Sequence, residues 1–152
     1  MPTQFKIDDA ENGLIAVLRS SPLLPGVQVD GLSSKDFDEQ GNLVAIPPAA
    51  LVMFDATQDN PSQDPTRKTY QTYHDFLVFV GAQDLRTAQQ ERSSAQALVD
   101  SVRATLAGQR LPLDGGTSQT GPVELAGVSA EQYGKDGTWY SVRVRVQAIA
   151  QF

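Results

Sequence analysis

The chain has 152 residues, 40% of them hydrophobic and 20% charged, and a net charge of −6. That composition fits a single globular domain over residues 1–152 with a core of its own. It excludes a surface built to grip nucleic acid, which needs a basic stripe. The absence of cysteine excludes disulfides, thiolate catalysis and cysteine-based metal sites, and fits the cytosol.

The start, Met1 to Asp9, lacks a basic stretch followed by an apolar run, so no signal peptide is expected. No apolar run approaches the roughly 20 residues of a membrane helix. From Thr3 to Ser21 the spacing predicts a helix with Ile7, Ala10, Leu14, Val17 and Leu18 in one stripe. Thr3 suits the cap, and Asp8, Asp9 and Glu11 lie where the helix dipole favours negative charge. Gly13 costs about 1 kcal/mol against alanine, so packing must hold this helix. Ser21-Pro22 ends it, and Pro25-Gly26 turns the chain into a short strand, Val27 to Val29.

Residues 30–48 are rich in Gly, Ser, Asp and Pro, lack any period and read as an acidic loop carrying Asp36, Asp38 and Glu39. Ala49 to Phe54 is a continuous apolar run, as expected of a strand buried on both faces. Asp55 to Arg67 is polar and reads as a long loop. Its Asn60-Pro61-Ser62 has proline where a glycosylation acceptor forbids it. Lys68 to Gln83 reads as a long strand. Tyr70, Thr72, His74, Phe76, Val78 and Val80 share one face, and Tyr73, Asp75, Leu77 and Phe79 the other.

Asp84 to Ser94 is expected to start a second helix whose firm part is Ala95–Ala107, with Gly108 as left-handed cap. Residues 109–122 read as a flexible glycine-rich loop. Val123 to Ser129 is a strand, and Lys135-Asp136-Gly137 turns it into the last one, Trp139 to Gln151. That last strand alternates: Tyr140, Val142, Val144, Val146, Ala148 and Ala150 against Ser141, Arg143, Arg145, Gln147 and Gln151. The order is α-β-β-β-α-β-β. The expected fold class is α+β, an antiparallel or mixed sheet of about five strands with two helices packed on it.

Three stretches carry a resemblance. They are Leu24-Pro25-Gly26-Val27 after the first helix, the helix Ala97–Gly108 after Phe76-Leu77-Val78-Phe79-Val80, and the alternating strand Trp139–Phe152 that closes the last hairpin. With this element order they resemble the tail terminator proteins of long-tailed phages, in the version of Mu-like phages and prophages. The resemblance implies a ring, usually a hexamer, that caps the tail tube, stops its polymerisation and joins it to the head-tail connector. The implied partners are other copies of the chain, the tube protein, the neck and, in contractile tails, the sheath. No membrane and no specific nucleic-acid binding are implied. The implied place is the head-proximal end of the tail, after assembly in the host cytoplasm. No reaction, metal or cofactor is implied. A neck or tail-completion adaptor is the alternative within the same particle, and a small cytosolic enzyme or ligand-binding domain is the alternative outside it.

The residues themselves show no catalytic constellation. His74 and Asp75 are adjacent on a strand and face apart, whereas a base and its orienting carboxylate need hydrogen-bond reach. Asp55, Asp59 and Asp64 lack the spacing, glycine and closing glutamate of a calcium loop. Asp114-Gly115-Gly116-Thr117 has neither the lysine nor the helix of a phosphate cradle. The remaining candidates are interface residues. Arg143 and Arg145 share a face that reads either as a solvated outer face, the commoner case, or as an interface for acidic residues of a neighbouring copy, with Asp36, Asp38 and Glu39 as one partner set. Tyr70 and Tyr73 are of a type enriched at interfaces, with core packing as the equal alternative.

Overall fold

The computed structural model describes residues 5–61, 68–82, 88–113, 116, 118–131 and 138–152. Helix α1 (Ile7–Arg19) leads through β1 (Gln28–Gly31) and a 3-10 turn (Ser34–Asp36) to β2 (Ala49–Pro61) and β3 (Thr69–Ala82). Helix α2 (Ala88–Leu106) follows, then a two-strand hairpin, β4 (Pro112–Leu113) and β5 (Ser118–Gln119). The chain closes with β6 (Glu124–Glu131) and β7 (Thr138–Gln151). Five strands form one sheet in the order β1-β2-β3-β7-β6. Only β1 runs parallel to its neighbour; the other pairings are antiparallel. This is the expected α+β architecture with a mixed sheet.

The period-2 pattern of β7 decides what the sheet buries. Val142, Val144 and Val146 point to the helices and are buried, as are Phe76, Val78 and Val80 beside them on β3. From the helix side, Leu14, Leu18, Val99, Val102 and Leu106 complete this core. Gly13 has a packing reason: a Cβ there would meet Leu111 at 3.2 Å, so its absence lets the segment before β4 lie against α1. Gly108 adopts φ +76° beyond α2, the left-handed conformation its position predicts. Arg19, in the last turn of α1, donates to the Val29 carbonyl at 3.0 Å and to Asp30 at 2.6 Å, tying α1 to β1.

A hydrogen bond from Gln28 and the Arg19 guanidinium hold the Asp30 carboxyl below the usual aspartate range. Its folded pKa is depressed, so its stabilisation exists above about pH 4 and fades as pH falls through the folded value. The pair is solvent-exposed. Asp30→Asn is therefore expected to cost no more than about 1 kcal/mol at pH 7. That cost should shrink progressively as the pH is lowered below about 4, in urea titrations across that range.

Four expectations need correction. Asp55 to Pro61 is not loop: β2 continues to Pro61, paired with β3 as far as Tyr70. These residues are exposed, so no apolar alternation marks the strand. The remainder of that stretch, 62–67, lies outside the described residues. Secondly, 30–48 is not structureless. Phe37 bridges Leu43, and Leu43 is buried with Ala49, Leu51 and Trp139 in a second small core on the face away from the helices. One buried leucine in a polar stretch has no period to read. Thirdly, 109–122 is not a loose arm, because Leu111, Leu113 and Thr120 are buried. Finally, α1 starts at Ile7 with Lys6 at the cap position and no side-chain cap; Thr3 lies outside the described residues, as does the turn Lys135–Gly137.

Candidate assembly surface

Among the described residues, helices cover one side of the sheet only. On the other side the Trp139 end lies under the 32–45 segment, and the rest is a polar face built by β2, β3, β7 and the start of β6. Odd-numbered residues of β3 and β7 reach this face, because strand side chains alternate. Register then decides their contacts. Asp75 lies opposite Arg145, and its carboxylate accepts from Nε at 2.8 Å and Nη2 at 3.2 Å. The Asp75 carboxylate, by hydrogen bonding and charge, raises the Arg145 pKa further. The same guanidinium lies 5.0 Å from the centre of the Tyr73 ring, within cation–π range.

The pairing extends along the face in both directions. Arg143 reaches Asp55, the extra residue where the β2–β3 register shifts between Phe54 and Ala56. Gln147 accepts from the Gln71 amide at 2.9 Å and donates to Glu124 at 3.3 Å. Both arginines thus have partners within the chain. Their suggested partners from a neighbouring copy hold other contacts: Asp36 accepts the Ser33 amide at 2.8 Å, and Asp38 accepts the Asn42 amide at 2.8 Å. Glu39 is exposed.

The two tyrosines are not brought together. Tyr73 lies on the polar face under Arg145, while Tyr70 lies on the helix side and meets Phe152 edge-on at 5.7 Å. Sequence reasoning placed Gln147 beside the two arginines but missed Asp55, Asp75, Gln71 and Glu124 as members of this face. The parity of Asp75 and Arg145 was readable, but their register across strands 70 residues apart was not.

His74 is on the opposite side. It is 3% exposed and sits against the rings of Phe5 and Phe54. One ring nitrogen bonds the Thr57 hydroxyl at 2.7 Å and the other the Phe5 carbonyl at 2.8 Å. Nε2 thus holds the N-terminal segment to the sheet, and Nδ1 links β3 to β2. Asp59, from the suggested calcium set, accepts the Thr72 hydroxyl at 2.6 Å; Asp64 lies outside the described residues, as do Asp114, Gly115 and Thr117. Among the described residues no three His, Asp or Glu side chains gather as metal ligands. No helix among them is long and apolar enough to cross a membrane. A cleft of about 370 Å³ opens between β5 and the end of β7, lined by Arg110, Ser118, Thr120, Gln147 and Ile149.

Comparison with known proteins finds both a family and a fold. A family model described as "Bacteriophage Mu, Gp37" matches residues 6–140. Among solved structures, a chain of the "Virion of native gene transfer agent (GTA) particle" superposes with a TM-score of 0.60 at 15% identity, covering 97% of this chain and 100% of that one. At that identity the likeness is one of fold. A search of curated proteins finds no match.

Proposed function

The chain belongs to the Bacteriophage Mu, Gp37 family, and from that premise we propose that it is a structural protein of a phage-type virion, specifically the tail terminator. In this reading its copies close into a ring, usually of six in such proteins, at the head-proximal end of the tail. The ring caps the tube, stops its polymerisation and offers its other side to the head-tail connector, with the sheath as a further neighbour in contractile tails. It works by shape and catalyses no reaction. Assembly takes place in the host cytoplasm.

The observation that carries this reading is the family match over residues 6–140. The likeness in fold to a chain of a virion particle supports it. So does the one-sided cover of the sheet, whose polar face holds its charges in internal pairs: Arg145 with Asp75 and Arg143 with Asp55. Such a face suits a hydrated wall inside an assembly better than a reaction centre. A ring needs head-to-tail contacts between unlike patches, and Arg143, Arg145, Tyr70, Tyr73, Asp36, Asp38 and Glu39 are the proposed contact set.

The test is tail length. Particles assembled without the protein should carry tubes longer than normal. Tails of normal length that fail to join heads would assign the protein to the neck as an adaptor instead.

A further inference from the structure

Beyond the helices, β2, β3 and β7 continue as a three-stranded arm, and among the described residues no strand pairs with either of its two outer edges. On β7, pairing with β6 stops at Arg145. The Gln147 carbonyl accepts the Gly121 amide at 2.8 Å, so it points away from β3. Backbone groups alternate along a strand, which turns those of Ile149 and Gln151 the same way. The Phe152 amide, of opposite parity, donates back to the Lys68 carbonyl beside β3 at 3.0 Å. Among the described residues nothing pairs with the outward groups of Ile149 and Gln151. The Ile149 side chain is 65% exposed.

The other side of the arm matches it. On β2, pairing with β1 stops at Val52. The Val52 carbonyl points outward, accepting the Leu32 amide at 2.8 Å. The register shift between Phe54 and Ala56 inserts one residue, so Ala56, Gln58 and Asn60 face β3 and the outward set becomes Thr57, Asp59 and the Pro61 carbonyl. These groups also lack a strand partner among the described residues.

Long unpaired edges invite pairing with another chain. Here the chain carries both halves of such a pairing. β2 and β7 are each antiparallel to β3, so they run in the same direction. A copy placed beside the arm by rotation about an axis along the strands brings its β2 parallel to this β7. By register Ile149 is level with Asn60, so the two free stretches overlap while the β7 stretch begins near the distal end of the β2 stretch, and closing a sheet on itself requires a stagger of this kind. We infer that the β7 edge at Ile149–Gln151 pairs in parallel with the β2 edge at Thr57–Pro61 of the next copy, so that the arms join into one closed sheet around the ring. This inference rests on the ring proposed above and names the contact that closes it.

The absence of cysteine makes the test clean. Asn60 and Ile149 both lie opposite Gln71, on its two sides. They are two strand spacings apart, about 10 Å. A disulfide bridges Cα atoms no more than about 7 Å apart, so any bond between cysteines there joins two copies. Ile149→Cys is combined with Asn60→Cys and, separately, with Gln58→Cys. The purified full chain is oxidised, run on denaturing gels and imaged by negative stain. One double variant is expected to give a ladder ending in a single largest species, while the single variants stay monomeric. Rings without cross-links in either double variant would overturn the edge pairing and leave the ring standing. Ile149→Cys alone cross-linking as well as the pair would overturn it too, since like edges would then meet. Absence of both rings and cross-links would overturn both readings. Ile149→Pro removes one outward amide at an edge position that tolerates proline. It should abolish rings while leaving the circular dichroism spectrum unchanged; rings that persist would overturn the inference.

Discussion

Trp139→Ala is expected to destabilise the protein by about 3–5 kcal/mol, the usual cost of deleting a large buried aromatic side chain. The indole is 1% exposed and forms the centre of the second core with Leu43, Ala49 and Leu51. It lies flat over Gly81, its register partner on β3. A Cβ at Gly81 would sit 2.5 Å from Cδ2 and 2.6 Å from Cε2 and Cε3 of the ring. Gly81→Ala therefore pushes a rigid side chain or the strand itself, and overpacking of this kind typically costs 1–3 kcal/mol. The two positions form one fitted pair. In a Trp139→Ala background the methyl group has room, and Gly81→Ala should then cost little. Urea unfolding of both single variants and the double variant, followed by far-UV circular dichroism, measures the coupling. Additive costs would refute the fit.

His74→Phe is the second large effect. Phenylalanine keeps an aromatic ring against Phe5 and Phe54 but offers neither a donor nor an acceptor. The Phe5 carbonyl and the Thr57 hydroxyl each lose their partner. The Phe5 carbonyl is the buried one of the two, and leaving a buried polar group unpaired costs about 1–3 kcal/mol, whereas Thr57 is exposed and its hydroxyl can turn to water. The loss should also be local. Hydrogen exchange should rise in the segment around Phe5 and in the β2 residues near Thr57, ahead of the core of β7. Unchanged protection at both places would show that the ring packs without tethering.

The helices and the strands β3 and β7 were legible because each buries one face and so carries a period. Val142, Val144 and Val146 repeat every second residue; Leu14 and Leu18 repeat every fourth, as do Val102 and Leu106. The distal half of β2 was not legible, because Thr57, Gln58, Asp59 and Asn60 are exposed and a strand open to water has no hydrophobic alternation. The cover provided by Leu43 was hidden for a related reason, since one buried residue makes no pattern. The polar face was half legible. Arg143 and Arg145 announced it by parity, but Asp55 and Asp75 join them only through register, which depends on pairing between distant segments. The sequence suggested a neighbouring copy for these arginines, and the fold supplies carboxylates from the same chain.

Asp55 has one more implication. The ladder runs from Phe54 opposite Phe76 to Ala56 opposite Asp75, so Asp55 is a surplus link with no counterpart on β3. Dropping that link would leave every later residue of β2 on its present side, whereas dropping any other residue between Ala56 and Asn60 would turn the links beyond it inside out. The arm thus has a single seam at which its length can change without scrambling what it shows to either side. That seam coincides with the carboxylate that holds Arg143, so a shortened arm would keep its shape and lose one charge clasp.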